Sequence, residues 1–230
     1  MGRALLALLP LASAAGAVLS PWLRVREVKV EGLRGCDGVR VERVAHSLLG
    51  RPVLSPALLL AARKLEKEPW VQKVRVSIRL PDTVVLSVEE RRAVFWMRSG
   101  GRNMALSAEG VAMGWVWGTR GLCRLEGVRP PRKPGDTVEG SEFLALRRLY
   151  FALKRAGVGR VEVVGVSERG ELFARLENGT VITFGEPVEI ERKAERARAV
   201  LHFLGSRRAR VELLSPDLAI WRPVEGVKGG

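Results

Sequence analysis

The sequence has few of the residues from which metal sites, disulfide frameworks and catalytic centres are built. Its 230 residues include two cysteines, Cys36 and Cys123, and two histidines, His46 and His202. This set is too small for a closed Cys₄ or Cys₂His₂ zinc site or for a disulfide network. The chain also lacks the G-x-S-x-G, P-loop and H-E-x-x-H motifs. We therefore expect no metal, no cofactor and no enzymatic activity, and we expect both cysteines to be free thiols.

Acidic residues are scarce relative to basic ones. Lys and Arg number 39 against 25 Asp and Glu, which gives a formal net charge of +14. Such an excess permits a nucleic acid, an anionic membrane surface or an acidic protein as partner. It is concentrated at 91–135 and 192–210, with local net charges of +7 and +6. Neither segment shows a helix-turn-helix, zinc-finger or RNP pattern, so we do not expect nucleic-acid binding.

A long uncharged run lies at the amino terminus. The 20 residues 4–23 carry no charge, and as a helix they would extend about 30 Å, the thickness of a bilayer hydrocarbon core. A cleaved signal peptide is the alternative, with Ala12-Ser13-Ala14 as its cleavage site. The apolar run continues past that site, and Trp22 stands where an interfacial aromatic residue is expected. We favour an uncleaved, single-pass anchor over residues 1–23 in the cytoplasmic membrane, with the bulk of the chain on the extracytoplasmic side.

Residues 24–92 predict one strand, two helices and two further strands. Apolar residues at helical spacing precede Gly50, and Ser55-Pro56 supplies the cap and first position of a second helix. After Pro69 the apolar positions alternate in two runs, 74–78 and 84–88, which a Pro81-Asp82 turn separates. The sequence therefore predicts a β-α-α-β-β unit. We interpret Trp70 as a core residue at the corner between the second helix and the next strand.

This order of elements and several strings within it carry a family resemblance. Pro69-Trp70-Val71 is followed by V-x-V-x-I-x-L-P-D-T-V and then by Glu89-Glu90-Arg91. Together they resemble the POTRA domain of the FtsQ/DivIB family of bacterial cell-division proteins. The resemblance continues at 90–96 and at 106–110, although Ala93 and Ser107 stand where the family has a proline and an aspartate.

Residues 93–224 predict an antiparallel sheet with helices against it. Helical patterns at 142–156 and 191–204 are each followed by a glycine, and Asn178-Gly179 lies between two short strand patterns as a hairpin turn. The predicted fold class is thus α+β. It comprises a transmembrane helix at 1–23, a POTRA domain at 24–92, an FtsQ-type β domain at 93–224 and a short tail at 225–230.

The resemblance implies a function in binding rather than catalysis. It implies a divisome scaffold at the division site that binds the small coiled-coil proteins FtsB and FtsL and links them to septal peptidoglycan synthesis. One alternative is a POTRA-containing envelope transport or assembly factor. A barrel-forming transporter would need about eight or more strands after the POTRA unit, and the remaining residues predict too few. The other alternative is a basic, membrane-tethered nucleic-acid binder that uses the two basic segments.

The last predicted strand is the candidate binding site. A final strand is expected at a sheet edge, where its unpaired backbone groups can receive an added strand from a partner. In the resembling family this is the docking place of FtsB, and Trp221 matches the family's terminal tryptophan, whereas Leu214 replaces an arginine. The alternative is that the apolar residues of this strand belong to the core. The predicted partner-binding residues are Leu214, Leu218, Ala219, Ile220, Trp221 and Arg222.

Overall fold

The computed structural model describes residues 23–34, 38–213, 215 and 217–224. The predicted anchor up to residue 22, Cys36, Leu214 and the predicted tail at 225–230 lie outside the described residues. Within the described ranges no helix is both long and apolar enough to cross a membrane. The chain forms two compact units, one ending at Arg91 and one beginning at Arg92. We call them the POTRA-like unit and the β unit.

The POTRA-like unit contains the predicted sequence of elements. They are β1 (Glu27–Glu31), α1 (Gly38–His46), α2 (Ala57–Glu66), β2 (Val71–Arg79) and β3 (Thr83–Glu90). The sheet order is β1-β3-β2. β2 and β3 are antiparallel because a short turn joins them, whereas β1 lies parallel to β3 because two helices intervene between them. The β-α-α-β-β prediction is confirmed.

The core of this unit lies between the two helices and one face of the sheet. Each helix buries residues three and four positions apart, as an amphipathic helix does. The buried set is Val41, Val44 and Ala45 from α1 and Leu58, Ala61, Ala62 and Leu65 from α2. Trp70 is only partly buried and packs against this core. Gly32 has φ +93° and a Cβ there would lie 2.2 Å from the Val88 carbonyl oxygen, so the chain can pass β3 at this point only as glycine.

The described residues of the β unit form nine strands and two helices. The strands of its first half are β4 (Ala93–Ser99), β5 (Arg102–Ser107), β6 (Ala112–Val116) and β7 (Cys123–Glu126). After α3 (Ser141–Ala156) come β8 (Val161–Val166), β9 (Leu172–Leu176) and β10 (Val181–Gly185). After α4 (Ile190–Leu204) come β11 (Ala209–Leu213) and β12 (Ala219–Pro223). β9 and β10 pair antiparallel around Asn178-Gly179, so the predicted hairpin is confirmed.

These strands form one mixed sheet in the order β12-β11-β10-β9-β8-β7-β4-β5-β6. Three neighbouring pairs are parallel, namely β4 with β7, β7 with β8 and β10 with β11. The predicted antiparallel sheet with helices is therefore correct for the helices but wrong for the sheet, which is mixed. For β7 with β8 and for β10 with β11 the reason is a helical crossover, through α3 and α4 respectively, which returns the chain to the end of the sheet from which it started. β7 lies beside β4 without a helix between them, after the chain has passed through β5 and β6.

The core of the β unit lies between the sheet and the two helices, which also contact each other. Phe95 of β4 is fully buried there. Three rings surround it edge to face, with centroid distances of 5.0 Å to Tyr150 and 6.4 Å to both Phe143 and Phe151. Because all three partner rings belong to α3, this aromatic cluster fixes that helix on the sheet.

Candidate partner-binding strand

β12 lies at the edge of the nine-stranded sheet. It pairs antiparallel with β11, from Leu213 opposite Ala219 to Ala209 opposite Pro223. On its other side no strand among the described residues adjoins it. The edge position expected for the last predicted strand is therefore what the fold provides.

The pairing register determines which backbone groups of β12 face outward. The Val224 N–H donates to the Arg208 carbonyl over 3.1 Å, and hydrogen-bonded pairs alternate with non-bonded pairs in an antiparallel ladder. Arg222 and Ile220 therefore exchange hydrogen bonds with β11. The N–H and C=O groups of Ala219 and Trp221 point to the open side. Pro223 presents only its carbonyl there, so its missing N–H costs nothing in the sheet.

The apolar side chains of this strand are exposed rather than buried in the core. Leu218 is 52% exposed and Trp221 is 38% exposed, and Ile220 is exposed as well. Trp221 lies opposite Val211 on the helix side, where its ring meets the exposed Phe203 ring of α4 at a centroid distance of 6.2 Å. The alternative that Leu218, Ile220 and Trp221 belong to the core is therefore wrong. Ala219, between them, is partly buried against the core.

The turn that leads into β12 is held by residues that the sequence analysis did not single out. The Ser215 hydroxyl accepts hydrogen bonds from the backbone N–H groups of Asp217 and Leu218, over 3.3 and 3.1 Å. From α4, Arg196 donates to the Asp217 carbonyl over 3.2 Å, and an Arg192 guanidinium nitrogen lies 3.6 Å from the Asp217 carboxylate. These contacts fix where the edge strand begins. A Ser-x-Asp turn beside an Arg-rich helix was the signal that could have identified them.

Helix α4 is itself fixed by a buried lysine. Lys193 is buried, and its Nζ donates to the carbonyls of Phe184 and Glu186 over 2.8 and 3.2 Å. Those carbonyls belong to the end of β10 and the residue after it, so the amine joins the start of α4 to the sheet. A buried ammonium group needs such partners because it is costly to desolvate.

The histidines and the described cysteine, the residues most suited to catalysis or metal binding, do not lie close together within either unit. His46 and His202 are exposed in different units. Cys123 is buried, and burial raises the pKa of its thiol to about 12, which leaves it protonated and unreactive at neutral pH. No cluster of three or more possible metal ligands occurs in the part of the chain that the structure describes.

The basic segments of the β unit are partly engaged with aromatic rings. The Arg102 guanidinium lies 4.1 Å from the centroid of the Trp115 ring, and that of Arg124 lies 5.3 Å from the centroid of Trp96. These are cation–π distances. The two pairs lie on opposite faces of the sheet, because Trp115 pairs with Met104 whereas Trp96 pairs with Ala105, the next residue along β5. They do not form a single basic platform.

Comparison with known proteins agrees with this architecture. The sequence-family model described as POTRA domain, FtsQ-type, matches residues 23–91. Cell division protein FtsQ of Streptomyces griseus is 31% identical over 169 residues, covering 72% of this chain and 81% of that protein. FtsQ of Caulobacter vibrioides (strain NA1000 / CB15N) is 24% identical over 219 residues, covering 92% of this chain and 68% of that protein. FtsQ of Rhodothermus marinus is 32% identical over 160 residues, covering 66% of this chain and 58% of that protein. The chain therefore belongs to the FtsQ family of non-enzymatic cell division proteins.

Proposed function

We propose that this protein is a division scaffold that captures an FtsB- or FtsL-type partner segment on β12. In this proposal residues 4–23 anchor the chain in the cytoplasmic membrane at the division site, with both compact units on the extracytoplasmic side. The captured partner links the scaffold to septal peptidoglycan synthesis. The observation that carries the proposal is the open backbone edge of β12 together with its exposed apolar side chains.

The backbone of β12 can bind one extended segment. Ala219 and Trp221 each offer one donor and one acceptor to the open side, which allows four hydrogen bonds to an added strand. At about 0.5 to 1.5 kcal/mol net for each bond, the ladder contributes roughly 2 to 6 kcal/mol. The partner segment loses conformational entropy when it becomes an ordered strand, and this loss offsets part of the hydrogen-bond energy. Side-chain contacts therefore have to supply the remaining affinity.

The side chains beside this edge supply an apolar anchor. Trp221 and Phe203 already contact each other, and both remain exposed. A large partner side chain lying over this pair would be desolvated at the centre of the interface, where aromatic residues carry most of the binding energy. Leu214, which was also predicted to bind, lies outside the described residues and remains a prediction.

The charge around the edge favours an acidic partner segment. Arg222 of β12 is exposed, as are Arg196 and Arg198 of α4. A positive surface steers an acidic segment toward the edge and raises its association rate, most strongly at low salt. The dissociation rate depends instead on the backbone ladder and on the Trp221–Phe203 pair.

Substitution of Ala219 by proline tests this mode of binding. The Ala219 N–H points to the open side, so Ala219→Pro removes a donor from the proposed interface while the hydrogen bonds to β11 remain. One lost bond and one unpaired partner carbonyl cost about 1.5 to 4 kcal/mol, which is roughly tenfold to several hundredfold in Kd. Ala219→Ser is the matched control because it keeps the N–H at similar size.

The measurement is the affinity of the full chain in detergent for an FtsB-type ectodomain, with circular dichroism to verify folding. We expect Ala219→Ser to bind as the unchanged chain does and Ala219→Pro to bind at least tenfold more weakly. Equal affinities for two folded variants would contradict strand addition at β12. The anchoring part of the proposal is tested separately, by a reporter fused after Gly230 that is active only when exported.

A further inference from the structure

The POTRA-like unit exposes a group of leucines that its own core does not use. Leu54 and Leu80 are 59% and 71% exposed, and Leu49, Leu59 and Leu60 are exposed as well. These five are all the exposed leucines among the unit's described residues. Single exposed apolar residues are ordinary on protein surfaces, whereas a gathered set marks an interaction surface. The backbone contacts show that this set is gathered.

The turn that carries Leu80 lies beside the first residues of the unit. β1 and β3 run parallel, with Glu27 opposite Thr83, so the turn before β3 lies at the end of the sheet where β1 begins. The Arg26 N–H donates to the Asp82 carbonyl over 2.9 Å at this point. Leu80 therefore projects from the end of the unit at which the chain enters it.

The loop between α1 and α2 lies at the same end. The Val53 N–H donates to the Leu23 carbonyl over 2.9 Å, and the Gly50 N–H donates to the Val25 carbonyl over 2.8 Å. Leu54 follows Val53 in the chain, and Leu49 precedes Gly50. Helix α2 begins just beyond this loop, which places Leu59 and Leu60 in its first turns. We call Leu49, Leu54 and Leu80 the leucine rim.

The uncharged run of the sequence identifies what covers this rim. Residues 4–23 end at Leu23, and when they span the bilayer Leu23 lies at the boundary of the hydrocarbon core. The headgroup layer outside that boundary is about 5 to 8 Å deep. Leu54 lies one residue, or about 3.8 Å of chain, beyond the residue that bonds to Leu23. With about 5.5 Å across the bonded Leu23–Val53 pair added, Leu54 lies within about 9 Å of Leu23, close to the outer limit of the headgroup layer. Leu49 and Leu80 lie at the same end of the unit.

The charged residues at this end suit the same surface. Arg24, Arg26 and Arg51 are exposed there and outnumber two acidic residues, the exposed Glu27 and the half-buried Asp82, whose carboxylate lies 4.0 Å from Arg26. Arginines beside apolar residues bind lipid phosphates while the apolar side chains enter the interface. We propose that the leucine rim inserts into the lipid interface and holds the POTRA-like unit against the membrane surface. This inference rests on the proposed anchor at 4–23.

Site-specific fluorescence in vesicles tests the inference. The full chain carrying Cys36→Ser, with Cys123 left buried, receives a single cysteine as Leu54→Cys, Leu80→Cys or Val39→Cys. Val39 is the matched control, because it is 60% exposed but lies at the start of α1, after β1 has crossed the unit to its other end. Each variant is labelled with an environment-sensitive dye and reconstituted into vesicles of equal parts phosphatidylcholine and phosphatidylglycerol.

We expect dyes at positions 54 and 80 to emit at shorter wavelength than the dye at 39, and brominated acyl chains to quench them severalfold more. Equal emission and equal quenching at all three positions, in vesicles that carry the chain, would overturn the leucine-rim inference and leave the anchor intact. A blue shift that grows with protein density and is not quenched by brominated lipid would also overturn it, because a second copy would then cover the rim. A chain that fails to float with the vesicles would overturn the proposed anchor and, with it, this inference.

Discussion

Phe95 offers the sharpest test of how the β unit is held together. It is fully buried, and its ring contacts Phe143, Tyr150 and Phe151 of α3 at centroid distances of 5.0 to 6.4 Å. Phe95→Ala removes the ring, leaves a cavity and loses three edge-to-face contacts. Substitutions of this kind cost about 3 to 5 kcal/mol, and loss of the ring contacts places this one at roughly 4 to 5 kcal/mol.

The magnitude can be checked by unfolding the full chain in urea while following its circular dichroism. A loss of about 4 kcal/mol is a large fraction of the roughly 5 to 15 kcal/mol that stabilises a typical domain. We expect the transition of the β unit to move to much lower urea while that of the POTRA-like unit stays in place. Trp117→Ala is the control, because Trp117 is fully exposed and its loss should change stability by less than about 0.5 kcal/mol. A change below about 1 kcal/mol for Phe95→Ala would refute the packing described above.

Three further predictions concern two side chains, the half-buried Trp70 and the buried Cys123. Trp70→Ala should lower the stability of the POTRA-like unit by about 2 kcal/mol in thermal melts, less than a fully buried tryptophan would, because Trp70 is only partly buried; an unchanged melt would show that it contributes no packing. Cys123 should resist a thiol reagent at pH 8 in a Cys36→Ser chain and react only after unfolding. The raised pKa of Cys123 also predicts that the stability of the chain declines as the pH rises from 9.0 towards about 12, because the thiol of the unfolded chain releases its proton in this range and the buried thiol does not. Rapid labelling of Cys123 in the folded chain would contradict both Cys123 predictions.

Local signals in the sequence predicted the elements well. The helix expected at 142–156 spans Ser141–Ala156, and it ends at Gly157, which takes the left-handed conformation with φ +74°. The order of the POTRA-like elements followed from the change of apolar spacing from helical to alternating. Helix ends and apolar spacing both depend on residues that are close in the chain, so these elements could be predicted without knowing the tertiary structure.

The pairing of distant strands was not available from the sequence pattern. β7 lies between β4 and β8 and is parallel to both, and no local property of the four residues Cys123–Glu126 specifies those neighbours. Lys193 was missed for a similar reason. Its burial depends on carbonyls at Phe184 and Glu186, which only the folded arrangement places beside the amine.

The edge position of the candidate strand could be predicted from the sequence, but the exposure of its side chains could not. The apolar sequence pattern of a strand is the same whether its side chains are buried in the core or exposed as a binding surface. Only the sheet order shows that no other described strand lies along the second side of β12. The register then shows that Ala219 and Trp221, rather than Ile220 and Arg222, direct their backbone groups to it.

The edge position of β12 also has a consequence for biosynthesis. β12 is the last of the twelve described strands in the chain, so it leaves the ribosome after every other strand of the sheet. A product that stops before Ala219 lacks β12, so the edge strand of its sheet would be β11, with different side chains and a different register. Partner capture through β12 would therefore select chains whose translation has reached Pro223, and prematurely terminated copies would not compete with complete ones for the partner.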